Sequence, residues 1–227
     1  MSSRDQILDR IRQALKRESP EPHWLHEPVA DGPEFSIPPN EPAALLEAFT
    51  KELQSLFGEV HAFDSIDEAK EWIAAESFPS ILAPDCSRLK PVLEGVPNVT
   101  WISTSHPSRL GWENFACGIT PTLGLAAESG TVIVAADVSG RAMSVLPPTH
   151  VVVATLDQLL QDFASAVKAV RDRYGGELPS TVSFITGPSR TADIEKILVL
   201  GAHGPKRLVV LLLPEGSLPS IEKVVSE

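Results

Sequence analysis

Apolar residues recur along this chain with two periods, and the switches between them mark out its elements. Residues 4–17 carry Ile7, Ile11 and Leu15 at i, i+4 and i+8, with Leu8 beside them and charge on the other faces. That is the pattern of an amphipathic helix. A helix this short is marginal alone and needs a surface to dock on. Residues 19–42 then hold seven prolines, Pro20 to Pro42, a density that marks a linker. Helical spacing returns with Ala44, Leu45, Phe49, Leu53 and Leu56, and Gly58 ends that helix. The layout is an N-terminal helix (1–18), a Pro-rich linker (19–42) and an α/β body (43–227).

Inside the body, short runs alternate with helical segments. Val60–Phe63, Ser80–Ala83 and Val99–Ile102 read as strands. Between them, Ser65 opens a helix through about Glu76 on the capping pattern S-I-D-E, and Cys86–Leu93 reads as a short helix. Thr131–Ala135 and His150–Ala154 are nearly continuous β-branched runs, which suit central strands buried on both faces. Leu156–Arg173 reads as a helix, Thr181–Ile185 as a strand, Thr191–Leu200 as a helix and Arg207–Leu213 as the last strand. Residues 103–130 resist assignment. The alternation predicts an α/β fold, a mostly parallel sheet with helices on both faces.

Composition narrows the function classes. The net charge is −11, and residues 18–227 alone hold 14 basic against 28 acidic side chains. Such a body repels nucleic acid and anionic membrane. No apolar run is long enough to span a bilayer. Residues 1–17 lack the apolar core of a secretory signal, and Asp5 and Asp9 do not suit a transit peptide, so a cytoplasmic protein is expected. The chain has two cysteines, Cys86 and Cys117, too few for an iron–sulfur cluster of its own. The histidines show no metal-ligand spacing, and no metal or cofactor is expected on this chain.

Two segments stand out for chemistry. In A-A-E-S-G-T, Glu128 sits where the chain turns into a buried strand, with Ser129, Gly130 and Thr131 beside it. A carboxylate there suits a base or nucleophile; a turn glutamate bonded to backbone amides is the alternative. In I-T-G-P-S-R-T-A-D-I-E, a strand, a Gly187-Pro188 turn and a helix follow one another. Open α/β sheets bind ligands at the carboxyl ends of strands, and a helix N-terminus favours an anion. Ser189 and Thr191 are candidates to contact that anion, and Arg190 to clamp a small carboxylate. Asp193 and Glu195 complicate an anion site; Asp193 is a candidate catalytic acid or partner of a ligand hydroxyl. An ordinary capped helix is the competing reading.

Three further places matter less. Arg141 leads the loop R-A-M-S-V-L-P-P-T-H, from which it can reach a pocket, and His150 closes that loop. His203 and Gly204 lie in a glycine-flanked turn, expected at the opposite edge of the sheet from Ser189. A regular strand–helix–strand unit would place it there.

Taken together, Ala127–Thr131, Leu146–His150, Gly187–Glu195 and Gly201–Pro205 resemble, in order, the LUD (lactate utilisation) domain family. Gly187–Glu195 is the most specific of these; Ser129 departs from the threonine usual there. The resemblance implies a fold like the NagB/RpiA/CoA-transferase superfamily. It also implies a non-redox part in bacterial oxidation of L-lactate to pyruvate, as a component or subunit acting with iron–sulfur partner proteins that hold the clusters. Two alternatives stay open. One is a stand-alone CoA-transferase-like or cyclo-ligase-like enzyme using Glu128. The other is a binding or regulatory module without chemistry.

Overall fold

The computed structural model describes residues 3–16, 41–103, 111–140, 142–175, 177–191, 199–201 and 203–221. The chain divides into two compact units, residues 1–34 and 35–227. In the first, helix α1 (Ser3–Leu15) forms as its periodicity predicts, with Ile7, Leu8 and Ile11 exposed. The proline-rich segment lies outside the described residues up to Glu41, and Pro42 is the first residue of the next helix.

The second unit runs α2 (Pro42–Ser55), β1 (Glu59–Ala62), α3 (Ile66–Ala75), β2 (Ile81–Pro84), α4 (Lys90–Leu93) and β3 (Val99–Ile102). Then come β4 (Cys117–Pro121), β5 (Gly124–Ala126), β6 (Thr131–Ala135), α5 (Ala136–Ser139), β7 (Thr149–Thr155), β8 (Leu159–Leu160) and α6 (Phe163–Tyr174). It closes with β9 (Val182–Ile185), β10 (Arg190–Thr191), β11 (Val199–Leu200) and β12 (Arg207–Leu213).

Six strands form an all-parallel sheet in the order β1-β12-β7-β4-β2-β3. Val151–Ala154 of β7 and Leu208–Leu213 of β12 are continuous apolar runs, as both faces are covered. On one face Val151, Val153, Val209 and Leu211 pack with Ala69 and Ile73 of α3 and Val92 of α4. On the other, Val152, Ala154, Val210 and Leu212 pack with Leu45, Phe49 and Leu53 of α2. The predicted α/β architecture, a mostly parallel sheet with helices on both faces, is the one that forms.

A second sheet was not anticipated. Its order is β8-β5-β6-β9, with β6 antiparallel to both neighbours. Thr131–Ala135 is therefore a buried central strand, as its sequence suggests, but in this sheet. Val132 and Val134 face the α2 core, and Ile133 faces Ala166 and Val170 of α6.

The helix expected over 156–173 is shorter than its periodicity implied. Leu156–Gln158 is a tight turn closed by a capping box between Thr155 and Gln158, and Leu159–Leu160 pairs with β5. Helix α6 starts only at Phe163, where Asp162 accepts a hydrogen bond from the Ser165 amide at 2.7 Å. Likewise the helix expected over 86–93 is confined to Lys90–Leu93.

Candidate functional site

The residues after β9 determine the site. Gly187 has φ +90, and a Cβ there would lie 2.8 Å from the Leu56 carbonyl oxygen, so only glycine fits. The chain then enters β10, which pairs antiparallel with β11 through Arg190↔Leu200 and Thr191↔Val199. This ladder contradicts the helix expected over 191–200 at both of its described ends. Thr191, at the expected helix start, is extended and strand-paired, and residues 192–198 lie outside the described residues. Asp193 and Glu195 lie outside the described residues, as does Arg141.

The ladder has a second consequence. The Gly201 amide donates to the Ser189 carbonyl at 2.8 Å, and the Ser189 amide donates to the Pro205 carbonyl at 2.9 Å. A Cβ on Gly204 would sit 3.1 Å from that of Ser189. His203 and Gly204 thus lie beside Ser189, which overturns their expected placement at opposite edges.

These two turns form one wall of a cavity of about 230 Å³. Its polar lining comes from Ser144, His150, Ser183, Ser189 and His203. Its apolar lining comes from Val145, Phe184, Ile185, Pro188 and Leu208, with Gly187, Gly204 and Pro205 contributing turns. His150 and Leu208 are register partners at the amino ends of β7 and β12. The cavity therefore lies at the amino ends of these parallel strands and the carboxyl end of β9, in the junction between the sheets.

His150 is fully buried. Its Nε2 lies 2.8 Å from Thr120 Oγ1 on β4, while its Nδ1 has no hydrogen-bond partner. Burial pushes the imidazole down to about 3, so the ring is neutral. A neutral imidazole has one donor and one acceptor nitrogen, and the Thr120 bond uses one of them. The other stays unpaired, donor or acceptor according to tautomer. His203 is exposed at the same cavity.

Glu128 lies elsewhere. Its amide donates to the Gln161 carbonyl at 3.1 Å, and its carboxylate accepts from the Phe163 amide at 3.4 Å at the start of α6. A carboxylate is favoured at a helix N-terminus, and this is the backbone-bonded turn geometry. Gly130 has φ +60, and a Cβ there would lie 2.5 Å from the Leu53 amide nitrogen. Ser129, Thr131 and Thr186 form a chain of hydroxyls with separations of 2.7 and 2.8 Å. That chain joins the Glu128 turn to the segment lining the cavity. Arg190 is exposed on β10 and is not among the described lining residues.

A buried arginine stands at the carboxyl end of β7. Arg88 donates to Thr155 Oγ1 at 2.7 Å, to Gln158 Oε1 at 2.6 Å and to the Pro219 carbonyl at 2.7 Å. That knot ties β7 to the C-terminal segment. Burial pushes both thiols up, Cys117 further than Cys86, away from the thiolate that binds metals. Among the described residues no group of three or more His, Cys, Asp or Glu could hold a metal ion. No helix among them is long and apolar enough to cross a membrane.

Sequence reasoning singled out Gly187, Ser189, His150, His203 and Gly204, and the structure brings these five to the cavity. It missed Ser144 and Ser183. Ser144 had a usable signal: it lies in the same inter-strand loop as His150.

The family model for the LUD domain matches residues 108–213. This part of the chain is similar to the LUD domain. Every described residue that lines the cavity falls inside that match. The chain is 26% identical to lactate utilization protein C of Bacillus subtilis, over 95% of this chain and 98% of that protein. It is 27% identical to lactate utilization protein C of Anoxybacillus flavithermus, over 92% and 96%. A shorter match of 37% identity to the Oceanobacillus iheyensis protein of that name covers 38% and 39%. Among solved structures, a DUF162 family protein from Deinococcus radiodurans shares the fold. Its TM-score is 0.61 at 21% identity, covering 77% of this chain and 99% of that one.

Proposed function

We propose that this chain is a cytoplasmic, non-redox component of a bacterial L-lactate utilisation system, with the His150 cavity as its working site. The observation that carries the reading is the near end-to-end match to proteins named lactate utilization protein C. Two cysteines, both with thiols favoured by burial, suit a part that binds rather than one that carries electrons. Iron–sulfur partner proteins then supply the clusters, and this chain contributes a neutral imidazole, serine hydroxyls and an apolar wall. The Glu128 nucleophile of a CoA-transferase-like enzyme is less favoured, because its carboxylate faces the first amide of α6.

The test is lactate-dependent dye reduction in an extract lacking this protein, with the purified chain added back. The account expects activity to return on add-back and none from the chain alone. Unchanged activity on removal and add-back would contradict the lactate role.

A further inference from the structure

Among the described residues, the six-stranded sheet ends in β1 on one side and β3 on the other, and the two ends are built differently. Strand β1 carries Glu59 and His61, and Arg207 of β12 is paired with Glu59. Charge on an edge strand discourages pairing with another chain. The sequence of β3, V-T-W-I, holds no charge, glycine or proline. Its residues are strong strand formers, and such an edge is a template for a further strand. Thr100 is exposed there, and Val99, Trp101 and Ile102 are half-buried.

The bonds to β2 establish which residues face outward. The Ile81 amide donates to the Asn98 carbonyl at 2.9 Å, and the Asp85 amide donates to the Ile102 carbonyl at 2.8 Å. Backbone groups along a strand turn to alternate sides residue by residue, so Asn98, Thr100 and Ile102 face β2. Val99 and Trp101 turn their amides and carbonyls away from it. Their side chains share one face, where they line a depression of about 510 Å³ together with Lys90, Leu93, Glu94 and Val96. The Thr100 side chain lies on the opposite face.

This edge is complementary to itself. A two-fold axis through Thr100, perpendicular to the sheet, sets two β3 strands antiparallel. Val99 then lies opposite the partner's Trp101, and Thr100 opposite the partner's Thr100. The outward-facing residues meet as hydrogen-bonded pairs, with Thr100 in the pair between them, which is the alternation an antiparallel ladder requires. A β-branched residue against an aromatic one, and threonine against threonine, are favourable cross-strand neighbours. Charge points the same way. The rim of the depression carries Lys90 and Glu94, and the axis turns that rim end for end, so both signs on one copy face both signs on the other. The net charge of −11 on each chain opposes docking through the acidic remainder of the surface.

We propose that β3 pairs with β3 of a second copy across this axis, joining two six-stranded sheets into one. The interface goes beyond the lactate reading and does not depend on it.

Sedimentation equilibrium of the full chain, with hydrogen exchange of individual amides, tests the pairing between roughly 1 μM and 1 mM protein. The expected result is a monomer–dimer equilibrium in which the Val99 and Trp101 amides exchange more slowly as the dimer forms. The Thr100 and Ile102 amides, which face β2, should be protected throughout. Thr100→Lys and Thr100→Glu each set like charges opposite one another across the axis, and each alone should weaken association at least about fivefold. Mixing the two variants sets lysine against glutamate and should restore it, a recovery that only this register produces. Circular dichroism checks that the variants fold, which the exposure of Thr100 favours; the wild-type exchange data decide the matter if they do not. A chain that stays monomeric up to the highest concentration would overturn the proposal. So would Val99 and Trp101 protection that does not change with concentration, unchanged association of the folded variants, or no recovery on mixing them.

Discussion

Thr120 holds one side of the His150 ring, with Oγ1 2.8 Å from Nε2 across the β4–β7 pair. The other nitrogen is thereby left to face its surroundings unpaired. Thr120→Val keeps the shape and removes the hydroxyl, leaving both ring nitrogens without partners. The expected loss is about 1–3 kcal/mol, read as a lower urea midpoint. An unchanged midpoint would mean that the bond contributes nothing to the fold.

The same ring makes stability depend on pH. Its ordinary value of 6.5 falls to about 3 in the folded chain, so between those values the unfolded chain binds a proton that the folded chain does not. The contribution is fully present above 6.5 and is lost as pH falls toward 3, by up to about 1.4 kcal/mol per pH unit. Urea unfolding between about pH 7 and pH 5 should therefore show a steeper loss in the wild type than in His150→Phe, by about one proton. Equal slopes would place a charged His150 in the folded state.

Two glycines with φ +60 separate conformation from space. Gly175 ends α6 with nothing near its missing Cβ, whereas at Gly130 that atom would lie 2.5 Å from the Leu53 backbone nitrogen. Gly175→Ala should cost only the left-handed strain, about 1 kcal/mol. Gly130→Ala must also displace α2 from the Glu128 turn and should cost more than about 2 kcal/mol. Thermal unfolding of the two variants checks the order, and equal losses would contradict the close approach.

Glu128→Gln keeps an acceptor near the start of α6 and removes its charge. The stability change should stay below about 1 kcal/mol, and lactate-dependent add-back should be unaffected. A stable variant that has lost add-back activity would return the carboxylate to the chemistry.

How much of this was legible in the sequence depended on whether the signal was local. His150–Ala154 and Arg207–Leu213 announce strands buried on both faces, and Ser65 announces the start of α3, because periodicity and capping are local properties. Thr131–Ala135 reads equally well as a strand. Which sheet it joins depends on Gly124–Ala126 and Val182–Ile185, whose pairing no local pattern encodes. The β10–β11 ladder contradicts the helical reading at Thr191, Val199 and Leu200 for a related reason, since pairing between residues apart in sequence overrides propensity. That ladder is also why His203 and Ser189 meet, and why His150 became central to the site while Glu128 became a helix cap. The carboxyl-end rule holds for β9, whose end adjoins the cavity, but not for β7, whose carboxyl end is bonded to Arg88.

The most direct test of the central claim, that the His150 cavity is the working site of a lactate-utilisation protein, is add-back of folded cavity variants to the deficient extract. With circular dichroism confirming the fold, His150→Phe and Ser144→Leu should each fail to restore the lactate-dependent dye reduction that the wild-type chain restores. Full restoration by both variants would contradict the account.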